Sequence, residues 1–304
     1  MRLPWIKHLT TYVFCSFTLI AGDIAMAYPE FKCAYEKDHN PPLDAEADTW
    51  FQEARRLEKS MDNWPRVVTL YSQAAEKNHW KSMHNLARLF RTGWPGNASN
   101  PGIEEDQHKM IDLYKRMVEL KVPLGYYNWA VIAERGTGIL KSDRMASSYM
   151  FQAAQLGSPL AQARLGTFFS FGLPQGQHDN DMAEQYYRCA GAQENIEALV
   201  EVAAFYKIAK RNFPKSLFYS QRAASLGGLS GFDDLKGAFD SKIDFLYSYG
   251  YEPDVQQFSF YKELRAKAKA DPTLRFPNLA TDMPLPKHPT QGYDREHPDQ
   301  RPEL

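Results

Sequence analysis

Ala161-Gln-Ala-Arg-Leu-Gly-Thr-Phe-Phe169 is the stretch that decides the fold. Its small and apolar residues recur at spacings of three and four, the period of a helix with one buried face. Gly172 follows, a residue that accepts a left-handed cap at little cost. Just before the stretch stands Tyr149-Met-Phe-Gln-Ala-Ala154, an aromatic followed by an alanine pair. Small residues are expected where the two helices of one pair cross closely, and large ones in the space between pairs.

The same arrangement recurs along the chain. Ser72-Gln-Ala-Ala75, Lys115-Arg-Met-Val118, Phe151-Gln-Ala-Ala154, Arg188-Cys-Ala-Gly191 and Gln221-Arg-Ala-Ala224 align with one another. Each is followed at a fixed offset by a small residue: Ser82, Gly125, Ala161, Ala198 and Gly231. One helical turn later comes a large apolar one: Leu86, Trp129, Leu165, Val202 and Leu235. The longest step holds Gly93-Trp-Pro-Gly-Asn-Ala-Ser-Asn-Pro101, with the glycines and prolines of an insertion. Each unit reads as two helices joined by a turn near Gly93, Gly136 or Gly172. One helix pair cannot bury its own apolar face, so pairs must stack. The expected fold is all-α, an α-solenoid of stacked antiparallel helix pairs.

Gln162-Ala-Arg-Leu-Gly-Thr-Phe-Phe-Ser-Phe-Gly172, followed by Asp181-Met-Ala-Glu-Gln-Tyr-Tyr187, resembles the Sel-one-like repeat, a relative of the tetratricopeptide repeat. The resemblance runs over residues 45–240. Asn78 and Glu194 depart from it, standing where that repeat usually has glycine, and the final unit is degenerate after Lys236.

The ends divide the chain further. Arg2 and Lys7 precede an apolar run from Leu9 to Gly22, and Ala25-Met26-Ala27 gives a signal-peptidase site, so residues 1–27 read as a signal peptide. An uncleaved anchor is the alternative, although the run falls short of the about 20 residues that a span needs. Residues 28–44 form an extended lead-in and 45–250 the array, with a helix expected over Ala45 to Lys59. Residues 251–304 hold a last helix, Asp254 to Ala270, then a tail punctuated by Pro277, Pro284, Pro286, Pro289, Pro298 and Pro302. The tail is expected to strap its first half over the helices, with a loose end beyond Tyr293. Leu274-Arg-Phe-Pro-Asn-Leu279 and His288-Pro-Thr-Gln-Gly-Tyr-Asp294 look like the ending of a family of exported bacterial Sel-one-like proteins. Cleavage leaves Cys33 and Cys189, which read either as a disulfide in an oxidising compartment or as two buried thiols.

A formal net charge of -1 advertises neither nucleic acid nor a membrane surface as partner. The sequence holds no phosphate loop, no nucleophile elbow and no zinc-binding pattern, so neither catalysis nor a cofactor or metal is expected. His79 and His84, five apart, do not align on one helical face. A binding face is expected on the first helix of each unit. Taking Gly166 as reference, it comprises Lys81, His84, Arg88 and Arg91 as a basic stripe, then Leu124, Tyr127, Val131 and Glu134, then Leu160, Ala163, Thr167 and Ser170. This grading suits a protein with an acidic, partly apolar patch. The basic residues also read as a solvated helix face. Trp94 reads either as an exposed anchor or as part of a packed turn.

Exported Sel-one-like proteins of this kind are similar to immunity proteins that Gram-negative bacteria encode beside type VI secretion effectors, notably phospholipase D-type lipases. The resemblance implies a periplasmic protein that occludes a cognate toxin by binding, with no membrane insertion after signal cleavage. An envelope scaffold is the alternative binding role, and a cell-wall enzyme the alternative from another class. The exported protein is expected to begin at Tyr28. N-terminal sequencing of the periplasmic fraction checks this, and an intact Met1 in the membrane fraction contradicts it.

Overall fold

The computed structural model describes residues 28–292, except 59, 95, 97–101 and 243–248. The signal-like segment, the tip of the insertion and the tail beyond 292 lie outside the described residues. The unit that carries the repeats begins at Phe31.

Six antiparallel helix pairs follow one another. They are α1 (Ala45–Leu57) with α2 (Trp64–Glu76), α3 (Trp80–Thr92) with α4 (Gln107–Glu119), and α5 (Pro123–Arg135) with α6 (Asp143–Gln155). Then come α7 (Pro159–Thr167) with α8 (Asn180–Gly191), α9 (Ile196–Ile208) with α10 (Phe213–Ser225), and α11 (Leu229–Ala238) with α12 (Val255–Ala270). Among the described residues there is no strand, only two isolated bridges. This is an α-solenoid. The helix expected at Ala45 is α1. It opens a further pair, packing Ala54 against Val67, Leu70 and Tyr71 of α2.

The small residues are buried as the pattern requires, but at Gly125 and Gly231 the close crossing is with the second helix of the preceding pair and not within the pair. Ser82, Gly125, Ala161, Ala198 and Gly231 are all buried, as are Leu86, Trp129, Leu165, Val202 and Leu235 one turn on. A Cβ at Gly125 would lie 2.5 Å from the Met117 Cβ. One at Gly231 would run into the Ser220 carbonyl oxygen and lie 2.7 Å from the Ala224 nitrogen. The aromatics use the same economy: the Tyr187 ring lies on Gly166 and the Tyr219 ring on Gly191. Every second helix from α4 onward starts on a polar cap, with Asp106, Ser142, Asp179, Asn212 and Asp254 accepting from backbone amides of the first turn. Such caps satisfy donors that a helix start leaves open.

The turns between pairs share one left-handed residue. Asn78 (φ 62°), Lys121 (φ 58°), Gly157 (φ 87°) and Gly227 (φ 84°) occupy it, so Asn78 adopts the conformation of the glycine it replaces. Asparagine tolerates that region better than most side chains. Glu194 does not adopt it, and the α8–α9 turn is held by its neighbour Gln193. The turn expected at Gly172 is also different. There α7 widens into a π-helical turn, Phe168–Gly172, and Gly172 is not left-handed.

The lead-in is bound to the array. Cys33 is disulfide-bonded to Cys189 of α8, with Cα atoms 5.6 Å apart, so the bonded alternative holds. Gln162 Nε2 donates to the Ala34 carbonyl at 2.9 Å, and the Glu36 amide donates to Gln193 Oε1 at 2.8 Å. Gln193 Nε2 in turn donates to Gln162 Oε1 and to the Gly157 carbonyl, each at 2.9 Å. The lead-in therefore clasps the third and fourth of the expected repeats before the chain enters α1.

The other end is strapped as well. Helix α12 turns Tyr261 and Ala268 inward, with Phe258 and Leu264 packed beside them. It is not the last helix, because a short α13 (Leu279–Asp282) lies within the strap. The Phe276 amide donates to the Ser225 carbonyl at 2.7 Å, and Leu279 and Leu285 bury into the core of the final pair. His288 is buried, donating from Nε2 to the Tyr249 carbonyl while Nδ1 accepts from the amides of Thr290 and Gln291. The strap is thus docked as far as the described residues run.

Gly231→Ala is expected to lower stability by roughly 1–3 kcal/mol, because backbone rather than a mobile side chain would have to yield. A thermal melt shows it; a midpoint equal to wild type contradicts the close crossing.

Candidate partner-binding site

The first helices of three consecutive pairs, α5, α7 and α9, line a groove of about 580 Å³. The face expected from sequence supplies Tyr127, Glu134, Leu160, Ala163 and Thr167 to it. The remainder of the lining includes Phe168 and Phe171 from the π-turn and Glu197 and Glu201 from α9. Arg164 Nη2 donates to both carboxylate oxygens of Glu134 at 2.7 Å, an exposed pair that neutralises both charges locally. Glu197 and Glu201 lie one turn apart, exposed, and make no ion pair among the described residues. Thr167 bonds its own Ala163 carbonyl at 3.2 Å and the Tyr187 hydroxyl at 2.9 Å, which fixes the floor. Burial pushes the Tyr127 hydroxyl pKa upward, so that group stays neutral. Ser170 belongs to the core and not to the groove.

The basic stripe does not form one surface. Arg88 and Arg91 are exposed and line a smaller cleft of about 320 Å³ with Arg55, Glu58 and Trp64. Lys81 lies instead at a separate cavity beneath the lead-in, its ammonium 5.4 Å from the Trp80 ring centre. His84 turns to Tyr114, its Nδ1 3.3 Å from that hydroxyl. Burial, reinforced by Arg88 and Arg91, pushes its pKa down to about 4, so it is neutral and not part of a basic surface. Trp94 proves to be a packed turn. Its backbone pairs with Ile103 in both directions at 2.7 Å, and its ring lies 5.9 Å from Trp64. His79 is buried, capping α3 at the Ser82 amide and facing Asp48 at 3.2 Å.

The cavity beneath the lead-in, about 890 Å³, is lined among others by Tyr35, Glu36, Trp80, Lys81 and Gln193. Burial alone pushes the Glu36 carboxyl up to about 7. Among the described residues no cluster of His, Cys, Asp and Glu could hold a metal, and no helix is long and apolar enough to cross a membrane.

Comparison with known proteins places these features. The Sel1 repeat model matches residues 123–158, 159–195 and 198–228, which are the pairs built on α5, α7 and α9. Pseudomonas aeruginosa PA5086 is 41% identical over 89% of this chain and 100% of its own, with a TM-score of 0.74. This chain belongs to the Sel1-repeat family. The immunity protein Pa5087 of the same organism is 39% identical over 89% of this chain and 100% of its own, with a TM-score of 0.74. The immunity protein PA5088 is 37% identical over 88% and 99%, with a TM-score of 0.71. A Sel1 repeat protein from Oxalobacter formigenes, 19% identical over 73% of this chain and 88% of its own at a TM-score of 0.50, shares the fold. None of the curated proteins matches. Grouped with repeat and immunity proteins, this Sel1-repeat chain is non-catalytic.

Sequence reasoning located the half of the groove carried by α5 and α7. It missed Glu197 and Glu201: the same offsets from the small residue Ala198 reach Glu197, but they fall on Val200 and not on Glu201. It also missed Phe171, because a π-turn has no signature in residue spacing.

Two half-buried titrating groups act on stability in opposite directions. His84 has a folded pKa of about 4, below the ordinary 6.5, so its contribution is present above pH 6.5 and is lost as pH falls toward 4. Glu36 has a folded pKa of about 7, above the ordinary 4.5, so its contribution is present below pH 4.5 and is lost as pH rises through 7. Denaturant melts across this range should show that His84→Gln removes the acid-side decline and Glu36→Gln the neutral-side decline. Variants that track wild type throughout contradict these assignments.

Proposed function

We propose that this protein is a periplasmic immunity protein that binds and occludes a type VI secretion effector of the phospholipase D lipase type. The observation that carries the reading is similarity to two immunity proteins at 39% and 37% identity, over nearly the whole of each chain. The repeat array supplies what neutralisation by occlusion requires: a preformed surface on rigid helices, with no chemistry of its own. The Cys33–Cys189 bond supports export, since such bonds persist in oxidising compartments and are rare in the cytosol. The signal-like segment at residues 1–27 supports the same location. The lipase assignment draws on the likeness to exported Sel-one-like immunity proteins.

The test is co-expression of the full chain with the effector encoded beside it, the effector being directed to the periplasm. Cells are expected to survive only with this protein present, and affinity capture from the periplasmic fraction should recover the effector in a roughly equimolar complex. Survival is expected to fail when the effector is supplied with this chain lacking residues 1–27. No protection and no capture by the full chain contradicts the reading.

A further inference from the structure

The groove between α5, α7 and α9 has an imbalance that says what it lacks. Its positive charge, Arg164, is consumed by Glu134. Glu197 and Glu201 remain as adjacent carboxylates without a cation. Beside them stand Tyr127, Phe168 and Phe171, and Phe171 is 58% exposed. The π-turn that presents Phe171 buries its neighbour Phe169 against Tyr186, with ring centres 5.5 Å apart. Wide turns of this kind are rare and occur frequently at functional sites. An exposed phenyl ring at the rim of a cleft is apolar surface that a partner can cover.

We propose that this groove is where the partner docks, and that it receives an arginine or lysine side chain of that protein flanked by an apolar residue. The cation would neutralise Glu197 and Glu201, its stem would lie against the aromatic wall, and the apolar neighbour would cover Phe171. Long basic side chains combine these needs, because an apolar stem carries the charged head. The α3 cleft has the opposite polarity, with Arg88 and Arg91 unpaired among the described residues, and calls for an acidic partner segment. The acidic groove is favoured over it because it joins three repeats, carries the exposed aromatic and has the larger volume, about 580 Å³ against about 320 Å³. This inference rests on the immunity reading and names its surface.

The experiment measures association and dissociation rates of the purified mature protein with the purified effector, at low and high salt. Three variants are compared with wild type: Glu197→Gln with Glu201→Gln, Phe171→Ala, and Arg88→Glu with Arg91→Glu. All these side chains are exposed, and circular dichroism confirms that each variant folds. The paired glutamine variant should slow association about tenfold at low salt and flatten its salt dependence, as loss of complementary charge does. Phe171→Ala should speed dissociation about tenfold, as truncation of an anchor does. The arginine variant should bind as wild type does. If the groove variants bind as wild type while the arginine variant loses binding, the immunity reading stands and this surface is wrong. If wild type itself binds no effector, the functional reading falls and the inference falls with it.

Discussion

How closely neighbouring helices can approach sets everything else in this molecule. At Ser82, Gly125, Ala161, Ala198 and Gly231 the first helix of a pair meets the second helix of the pair before it. At Gly125 and Gly231 the space for a side chain is already taken by the facing helix. Apolar burial alone would accept many loose arrangements, whereas close packing selects one. Because the crossings repeat, the first helices of successive pairs come into register, and their outer positions from α5, α7 and α9 share one groove. The groove is thus a consequence of small residues that do not line it.

The second constraint is the clasp formed by the lead-in. The Cys33–Cys189 bond closes a segment with a sequence separation of 156, and a native disulfide of this kind contributes about 2–5 kcal/mol. Gln162 and Gln193 make the clasp specific. They hydrogen-bond one another while reaching the Ala34 carbonyl, the Glu36 amide and the Gly157 carbonyl. A Cβ at Gly157 would collide with the Tyr35 backbone, so the left-handed turn also makes room for the lead-in. An array is built from nearest-neighbour contacts, and the clasp adds a long-range one. It stiffens the pairs that carry most of the groove.

The repeat was legible because its signal is local and recurs. The three alanine pairs, the five small residues and the five large apolar residues after them report one packing rule, and all of them are buried. The inner face on α5 and α7 followed from the same register. Other features depend on tertiary context and were not legible. Lys81 and His84 share a helical face with Arg88 and Arg91, yet the lead-in covers Lys81's surroundings and Tyr114 covers His84. Glu36 looks like any solvated glutamate until the lead-in that carries it folds against the array. The docked first half of the tail was legible in its apolar residues, and Leu279 and Leu285 bury as expected, but the contact that His288 makes with the Tyr249 carbonyl has no signature in residue spacing. Phe171 owes its exposure to a widened turn that residue spacing does not encode.

Together these features describe a protein whose function lies in its shape and charge. Two clefts of opposite sign are held on rigid first helices, and the acidic one is lined by aromatic rings. On the proposed immunity reading, the measurement that tests this account most directly is amide hydrogen exchange, comparing the mature protein alone with the protein saturated by its effector. Bound effector should slow exchange in the π-turn Phe168–Gly172 and in the first turns of α9, leaving α3 as in the free protein. Slowing confined to α3 or to the C-terminal strap, with the π-turn and α9 unchanged, would contradict the account.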